Sequence, residues 1–401
     1  MLLILGSAFT APLVTIFHLT LTGDRLLGLA ALAVVAVLGL ARRLRWTSVH
    51  SALAVFVGVQ MVTSALNARV WPQGLKFMAV YVLGLACFCL AAEWARSVDG
   101  QRRLVTGWIA VGATLGVIGT VVSAGANLSQ QPLWGAGIVQ VLLLDARPPR
   151  HVFAGQATFG EWNLLSSFLL IPFTLGLWLW RPDRGPRSWR SASMAALVFG
   201  LTFGFTRAAW LSMAGLIAFW WRARRPRRQQ LAALGAMLAL AFLLQAAVVG
   251  ASPLRFRMGN PLLDWNVLAR LAISKATIES WQRRPIMGHG AGSINRLSAI
   301  LPDGTRIEKI WNGNFVLFVL HDSGLCGLAA LLGMGVVVCG RAARAIGSTA
   351  DGASSSLAVP VLAAGGALCF AYLFTHGLWL MYSYVYLGLL TAATDPGAGG
   401  A

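Results

Sequence analysis

Two arginines are the side chains of this sequence best placed to do chemistry. Arg207 stands between two apolar segments with almost no loop between them, so its guanidinium lies near a membrane face if those segments span a bilayer. Arg270 lies in a stretch, residues 268–281, whose apolar residues have helical spacing. Guanidinium groups stay charged and bind phosphate oxygens bidentately, so two or three of them can hold a diphosphate. The alternatives are a snorkelling arginine at a helix end for Arg207 and a solvated loop arginine for Arg270.

A second group of polar residues lies where the chain returns to apolar sequence. Asn314 precedes an apolar segment, and His321 and Asp322 follow about two turns deeper, roughly 10 Å below the surface at about 1.5 Å per residue. Such a pair is a proton relay, a pair that contacts substrate, or a hydrogen-bonded packing pair. The depth of the two residues favours packing.

The stretch 255–314 is the long interruption of the apolar sequence, and it is basic. Its charged residues are nine cations and four anions: Arg255, Arg257, Arg270, Lys275, Arg283, Arg284, Arg296, Arg306 and Lys309 against Asp264, Glu279, Asp303 and Glu308. A basic insert between hydrophobic spans indicates an anionic substrate. The glycines at 288–292 follow no strand and open no βαβ unit, so they do not indicate dinucleotide binding.

Composition places the whole chain in a membrane. Hydrophobic residues make up 57% and charged residues 11% of the chain, which excludes an ordinary soluble domain and predicts an all-α, polytopic protein in a lipid bilayer. The apolar runs predict about twelve transmembrane helices in a single membrane domain, residues 1–401. The net charge of +19 comes almost wholly from arginines between the spans, so it indicates no nucleic-acid partner.

Short loops rich in arginine predict the orientation of the spans. Both termini are expected in the cytoplasm, with the loop 125–163, the turn at Arg207 and the large, partly helical loop 251–312 on the outside. Residues 2–21 are expected to form a retained first span, and residues 133–144 a re-entrant or interfacial helix.

Four segments resemble motifs of the O-antigen ligase and polymerase family. Residues 206–211 (Thr-Arg-Ala-Ala-Trp-Leu) are similar to its Ser-Arg-Gly-Ala-Trp-Leu stretch, and residues 159–163 (Phe-Gly-Glu-Trp-Asn) to its Phe-x-x-x-Asn entry to a span. Residues 270–290 resemble its insert helix followed by Pro-x-x-Gly-x-Gly. Residues 313–327 match the spacing of its His-Asn-x9-Gly-x2-Gly. The resemblance covers about residues 155–330.

The resemblance implies an inverting glycosyltransferase of the bacterial inner membrane with a periplasmic active face. Its donor is a glycan on a polyprenyl diphosphate such as undecaprenyl diphosphate, and its acceptor is a glycan or the lipid A core of lipopolysaccharide. It implies neither a metal nor another cofactor. By position, Arg207 and Arg270 hold the diphosphate and stabilise the leaving group, with Arg150 and Arg257 as further ligands and Asn314 as a catalytic-site residue.

The sequence departs from the family pattern at Gly313, which occupies the place of a histidine that activates or orients the acceptor hydroxyl. A base from elsewhere is one explanation, and the candidates are His289, Glu161, His151, Asp303 and Glu308. The others are a reaction without a strong base, since diphosphate is a good leaving group, and a member that binds substrate without transfer. A transporter or flippase of an anionic lipid-linked substrate is the alternative from another class; it needs a charged path through the bilayer.

Overall fold

The computed structural model of the protein describes the chain in separate stretches. They are residues 2–8, 10, 12–16, 19–40, 44–67, 71–139, 151–180, 189–249, 265–301, 304–308, 310, 312–347 and 357–395. Within them most residues are helical, and the strands form short antiparallel hairpins.

The helices follow the apolar runs of the sequence. They are α1 (Leu2–Ala8), α2 (Gly23–Leu40), α3 (Ser48–Ala65), α4 (Trp71–Trp94), α5 (Val98–Ser129), α6 (Trp162–Leu179), α7 (Trp189–Phe203), α8 (Arg207–Arg224), α9 (Arg228–Val249), α10 (Trp265–Trp281), α11 (Phe315–Gly347), α12 (Ala358–Tyr372) and α13 (Met381–Ala393). The strands pair as β1 (Pro12–Ile16) with β2 (Leu19–Thr22), β3 (Ala136–Val139) with β4 (Val152–Gly155), and β5 (Ser298–Ile300) with β6 (Arg306–Glu308).

Several of these helices can cross a membrane. Among the described residues six helices are long and apolar enough to do so: α3, most of α4, α5, α6, α9 and α11. The prediction of an all-α membrane protein is confirmed at this level. The count of about twelve spans stays a prediction.

Two local predictions are wrong. Residues 2–21 do not form one span, because α1 ends at Ala8 and the hairpin β1–β2 follows, in a stretch rich in β-branched residues. Residues 133–144 contain the strand β3, so the loop 125–163 holds a hairpin where a helix was expected. Gly135, at φ +79°, makes the turn into β3, and its carbonyl accepts the N–H groups of Gln156 (2.8 Å) and Ala157 (3.0 Å).

The chain packs as two compact units. The first unit comprises Met1–Gly23, Arg102–Asn260 and Gly352–Ala371, and the second comprises Asp24–Gln101, Pro261–Asp351 and Tyr372–Ala401. The helix predicted at 268–281 is confirmed as α10, which ends at Trp281 shortly before Pro285. The single membrane domain and the loop bounds 251–312 stay predictions.

Small residues let the elements of the first unit approach closely. A Cβ on Gly200 of α7 would stand 2.6 Å from the Cα of Gly116 in α5, and a Cβ on Gly155 of β4 would stand 2.2 Å from the carbonyl oxygen of Gly119. Such close approach of backbones is common where membrane helices pack. It places α7 and β4 against α5 and leaves α6 and α7 side by side.

The second unit is built on two helix pairs. α4 packs on α13, where a Cβ on Gly84 would meet the ring of Tyr384 at 2.5 Å, and α3 packs on α11. The insert helix α10 packs on α11 and on β5. The insert is thus an integral part of this unit.

Candidate functional site

A strained turn between α7 and α8 places Arg207. Phe205 has φ +49°, a left-handed conformation that bulky residues rarely adopt. The preceding Gly204 has no room for a side chain, because a Cβ there would stand 2.2 Å from Ser166 Oγ. Thr206 is the N-cap residue of α8, and Arg207 is its first helical residue. Backbone strain of this kind clusters at functional sites.

The side chain of Asn163 connects this turn to the start of α6. Its Nδ2 donates a hydrogen bond to Glu161 Oε1 at 2.6 Å, and its Oδ1 accepts one from Thr206 Oγ1 at 3.1 Å. Asn163 and Thr206 are both buried, so the bond between them is shielded from bulk water. Two of the segments that carry the family resemblance, 159–163 and 206–211, therefore meet through their polar side chains.

The start of α8 can hold an anion. The first N–H groups of a helix have no partner inside the helix, and the helix dipole favours negative charge there. Arg207 adds a guanidinium at the same point, and its side chain is partly exposed. Oxygen atoms of a phosphate are the ligands that suit both groups.

In the second unit, Arg270 lies across the backbone of Gly313. Arg270 Nη1 donates a hydrogen bond to the carbonyl oxygen of Phe374. A Cβ on Gly313 would stand 2.7 Å from that same oxygen and 2.8 Å from Arg270 Nη1. In this chain Arg270 and the backbone at Phe374 therefore take up the space next to position 313.

Asn314 caps α11. Its Oδ1 accepts the N–H groups of Val316 at 2.9 Å and Leu317 at 3.2 Å, two of the groups that a helix start leaves without a partner. The neighbouring Asn312 is buried, and its Nδ2 donates to Thr277 Oγ1 of α10 at 3.0 Å. The catalytic role expected for Asn314 stays a prediction, beside a structural role that the contacts show.

Three polar side chains lie on one side of α10. Arg270, Thr277 and Ser280 lie at intervals of seven and three residues, within an arc of about 80° at about 100° per residue. Along the helix axis Ser280 stands about 15 Å from Arg270. These three side chains lead from the Arg270–Gly313 contact to a second polar cluster farther along α10.

A break in α11 lies at this second cluster. Gly324 has φ +64° and ψ −159°, a conformation that only glycine adopts readily. The loop after α10 enters the break and exchanges four backbone hydrogen bonds with it: His289 N to His321 O, Gly290 N to Asp322 O, Leu325 N to Pro285 O and Cys326 N to Ile286 O, at 2.8–3.2 Å. A break inside a membrane-spanning helix needs such partners, since lipid supplies none.

The glycines of the loop make this contact possible. A Cβ on Gly288, which has φ +65°, would stand 2.6 Å from the backbone of Asp322. Gly290 has φ +90° and Gly292 has φ +76°. α3 holds the loop from its other side, where Ser64 Oγ accepts the N–H of Ala291 at 2.9 Å and the side chain of Asn67 accepts a hydrogen bond from Arg284. The Pro-x-x-Gly-x-Gly pattern is thus explained by packing.

His321 and Asp322 lie in a fully connected buried cluster, and each is 1% exposed. The Asp322 carboxylate accepts hydrogen bonds from His321 Nδ1 (3.0 Å), Ser293 Oγ (3.1 Å) and Gly292 N (2.7 Å). A carboxylate only accepts, so the His321 Nδ1 that faces it carries a hydrogen; His321 Nε2 lies 3.1 Å from Ser280 Oγ. This confirms hydrogen bonding within the pair; whether the cluster also relays protons stays a hypothesis.

His289 is held against this cluster. Its ring stacks on that of His321 with centroids 4.9 Å apart, and its Nε2 donates to the carbonyl oxygen of Ser280 at 2.8 Å. Burial lowers the pKa of His289, while the hydrogen bond to Ser280 opposes that shift. The ring is therefore neutral near pH 7, with the lone pair on Nδ1.

The remaining candidate site residues are exposed or lie outside the described residues. Glu308 is exposed on β6 with Arg306 3.9 Å away, and His151 is exposed at the start of β4. Arg150, Arg257 and Asp303 lie outside the described residues. The sequence had indicated Asn163 only as the last residue of the Phe-x-x-x-Asn match, and it did not single out Ser280 or Ser293.

No protein-family model matches the chain, and no curated protein matches it. The resemblance to O-antigen ligases and polymerases therefore depends on the four segments and on their arrangement. Within the described stretches, no three His, Cys, Asp or Glu side chains lie close enough together to hold a metal ion.

Proposed function

We propose that this protein is a glycosyltransferase of the O-antigen ligase and polymerase type. It moves or polymerises a glycan from a polyprenyl diphosphate onto another glycan or a lipid A core, at the periplasmic face of the bacterial inner membrane. About twelve spans, cytoplasmic termini and an outer loop at 251–312 belong to this proposal.

The pairing of the motif segments carries the proposal. Segment 159–163 contacts segment 206–211 through Asn163 and Thr206. Segment 270–290 contacts segment 313–327 twice, at Gly313 through Arg270 and at Gly324 through the loop backbone. Segments that match the four motifs only by chance are not expected to contact each other in pairs, whereas segments that form one family site are.

Each pair of segments contains an arginine that can stabilise the diphosphate leaving group. In the transfer, an acceptor oxygen forms a bond to the anomeric carbon, and the bond from that carbon to the diphosphate oxygen breaks with its electron pair. Negative charge develops on the departing oxygen, and fixed cations stabilise it more than they stabilise the bound donor. Arg207 and Arg270 are the groups we assign to this role.

A transporter is the second candidate, and the break in α11 is the observation that favours it. Broken helices with buried ionisable residues form ion and substrate sites in secondary transporters. Here, however, the loop 285–290 satisfies the backbone groups of the break, and the Asp322 carboxylate already has three donors. Because these contacts already engage the polar groups at the break, they support glycosyl transfer over transport. A member that binds donor without transfer is the remaining alternative.

The test is a transfer assay with the purified protein in proteoliposomes. A polyprenyl diphosphate carrying a short glycan is supplied as donor, and release of the polyprenyl diphosphate is followed with and without glycan or lipid A-core acceptors. Release should depend on acceptor and be lost in Arg207→Ala and Arg270→Ala, while Arg306→Ala, at an exposed arginine of β6, keeps it. Movement of labelled donor across the bilayer without release would favour transport instead.

A further inference from the structure

Glu161 has a position that its local structural role does not explain. It is the N-cap residue of α6, yet its side chain makes no capping hydrogen bond. The short polar side chains preferred at this position, those of Ser, Thr, Asp and Asn, accept an N–H of the first turn. Glu161 Oε1 instead accepts from Asn163 Nδ2 at 2.6 Å, and the described residues give the carboxylate no other partner. The residue is partly exposed.

Asn163 fixes this carboxylate relative to Arg207. The Asn163 amide must turn its Nδ2 to the carboxylate, which only accepts, and its Oδ1 to the Thr206 hydroxyl. Thr206 directly precedes Arg207 at the start of α8. The chain of two hydrogen bonds therefore holds the Glu161 carboxylate on one side of the amide and the cationic start of α8 on the other.

His289 is the competing base, and its placement argues against it. It is bound to Ser280, which stands about 15 Å along α10 from Arg270. A general base must come within about 2.6–3.2 Å of the proton that it removes. The reacting hydroxyl lies next to the leaving group, so a base belongs beside an arginine that binds the diphosphate. Two hydrogen bonds, through Asn163 and Thr206, connect Glu161 to the residue that precedes Arg207.

We propose that Glu161 is the proton acceptor of the transfer reaction and that Asn163 positions it. This inference rests on the proposed function. The acceptor oxygen forms its bond to the anomeric carbon as the bond from that carbon to the diphosphate breaks. The proton of the acceptor hydroxyl passes to the Glu161 carboxylate, and the leaving electron pair stays with the diphosphate. Glu161 thus does the work that a side chain at Gly313 cannot do in this chain.

The test uses Glu161→Gln in the purified, full-length protein with a polyprenyl diphosphate carrying a short glycan. Glutamine keeps an oxygen that can accept from Asn163, so the variant removes the base and retains the contact. Transfer to a hydroxyl acceptor should fall by about 10²–10⁴-fold, the usual contribution of a general base, while the affinity for donor stays unchanged. Glu279→Gln, the same change at an exposed glutamate beside Lys275, should transfer normally.

Azide separates loss of the base from loss of structure. Azide attacks the anomeric carbon without losing a proton, so Glu161→Gln should form glycosyl azide and release polyprenyl diphosphate at the wild-type rate. Asn163→Ala, which misplaces the carboxylate, should lower hydroxyl transfer and spare azide transfer.

The outcomes that overturn the inference differ from those that overturn the proposed function. Normal hydroxyl transfer by Glu161→Gln overturns the inference, as does loss of both hydroxyl and azide transfer in a folded variant. A selective loss of hydroxyl transfer in His289→Gln would assign the base to His289. If the wild-type protein releases no polyprenyl diphosphate with any acceptor or with azide, the proposed function itself fails.

Discussion

Asn163 and Thr206 stand 43 residues apart in the chain and share a buried hydrogen bond of 3.1 Å. The bond ties the start of α6 to the start of α8, and with it Glu161 to the turn that carries Arg207. A hydrogen bond between two helix starts restricts the positions of the linked side chains more than a loop contact does, because both ends belong to regular structure. Stability and transfer should therefore both depend on this link.

Replacing Asn163 by alanine should destabilise the first unit. It removes two hydrogen bonds, each worth about 0.5–1.5 kcal/mol, while the buried Thr206 hydroxyl keeps the Gly204 carbonyl, 3.0 Å away, as an acceptor. Thr206→Val should act in the same direction, and Thr206→Ser, which keeps the hydroxyl, should remain close to wild type. Thermal melting of the purified variants in detergent measures the effect. An unchanged melting temperature in Asn163→Ala would show that the link contributes nothing to stability.

Gly313→Ala should lower transfer by displacing Arg270. The added Cβ would meet both the Phe374 carbonyl and Arg270 Nη1 at less than 3 Å. A displacement of about 1 Å at a positioned group costs up to about 10²-fold in rate. Gly313→His, which restores the residue of the resembled family, should also lose activity. Because the effect acts through Arg270, adding Gly313→Ala to Arg270→Ala should change little in a rate measurement. Gain of activity in Gly313→His would contradict this account of the site.

Gly324→Ala should destabilise the second unit by more than about 2 kcal/mol. Alanine is strained at φ +64° and ψ −159°, and its Cβ would stand 2.3 Å from the carbonyl oxygen of Ile286. Gly333→Ala is the matched control on the same helix, where a Cβ meets nothing within 4 Å. The control should leave stability unchanged or raise it by up to about 1 kcal/mol, since alanine favours helix. Equal melting temperatures for the two variants would contradict the broken helix.

Stability should fall below pH 6.5 because of His376. This residue lies between α12 and α13 with its ring 3.8 Å from that of Phe318, and burial lowers its pKa from 6.5 to about 3. As pH falls through 6.5 the unfolded chain takes up a proton that the folded protein does not. The contribution of neutral His376 is therefore complete above pH 6.5 and declines by about 1.4 kcal/mol per pH unit toward pH 3.

The measurement is the melting temperature at pH 7.5 and pH 5 in wild type and His376→Gln. Glutamine does not titrate in this range, so the difference between the two pH values should shrink in the variant. His151→Gln, at an exposed histidine, should keep the wild-type difference. An unchanged difference in His376→Gln would mean that the buried ring does not govern the pH dependence.

Helical spacing and turn residues accounted for much of the fold. The apolar runs correspond to α3 to α9 and α11, and the spacing at 268–281 predicted α10. The hairpins β1–β2 and β3–β4 were missed because a short apolar run has no period that separates strand from helix. The break at Gly324 was missed because a glycine inside an apolar helix is common, and its conformation depends on a loop 36 residues earlier.

The contacts between the site residues could not be predicted from the sequence, for a related reason. Nothing in the order of residues says that Asn163 meets Thr206, or that a Cβ at Gly313 would collide with Arg270. Residue types indicated which groups can bind an anion, but only the packing shows which of them lie close together. Glu161 and His289 were therefore equal as candidate bases, and the contacts of Asn163 and Ser280 separate them.

The measurement closest to the central claim is the release of polyprenyl diphosphate by the purified protein, with wild type and Arg207→Ala compared at equal amounts and with folding checked. We expect release that requires an acceptor in wild type and is lost in Arg207→Ala, because the variant removes a cation that stabilises the leaving group. Equal, acceptor-dependent release by both proteins would contradict the site that we assign. Absence of release from folded wild type with every acceptor and with azide would contradict glycosyl transfer itself.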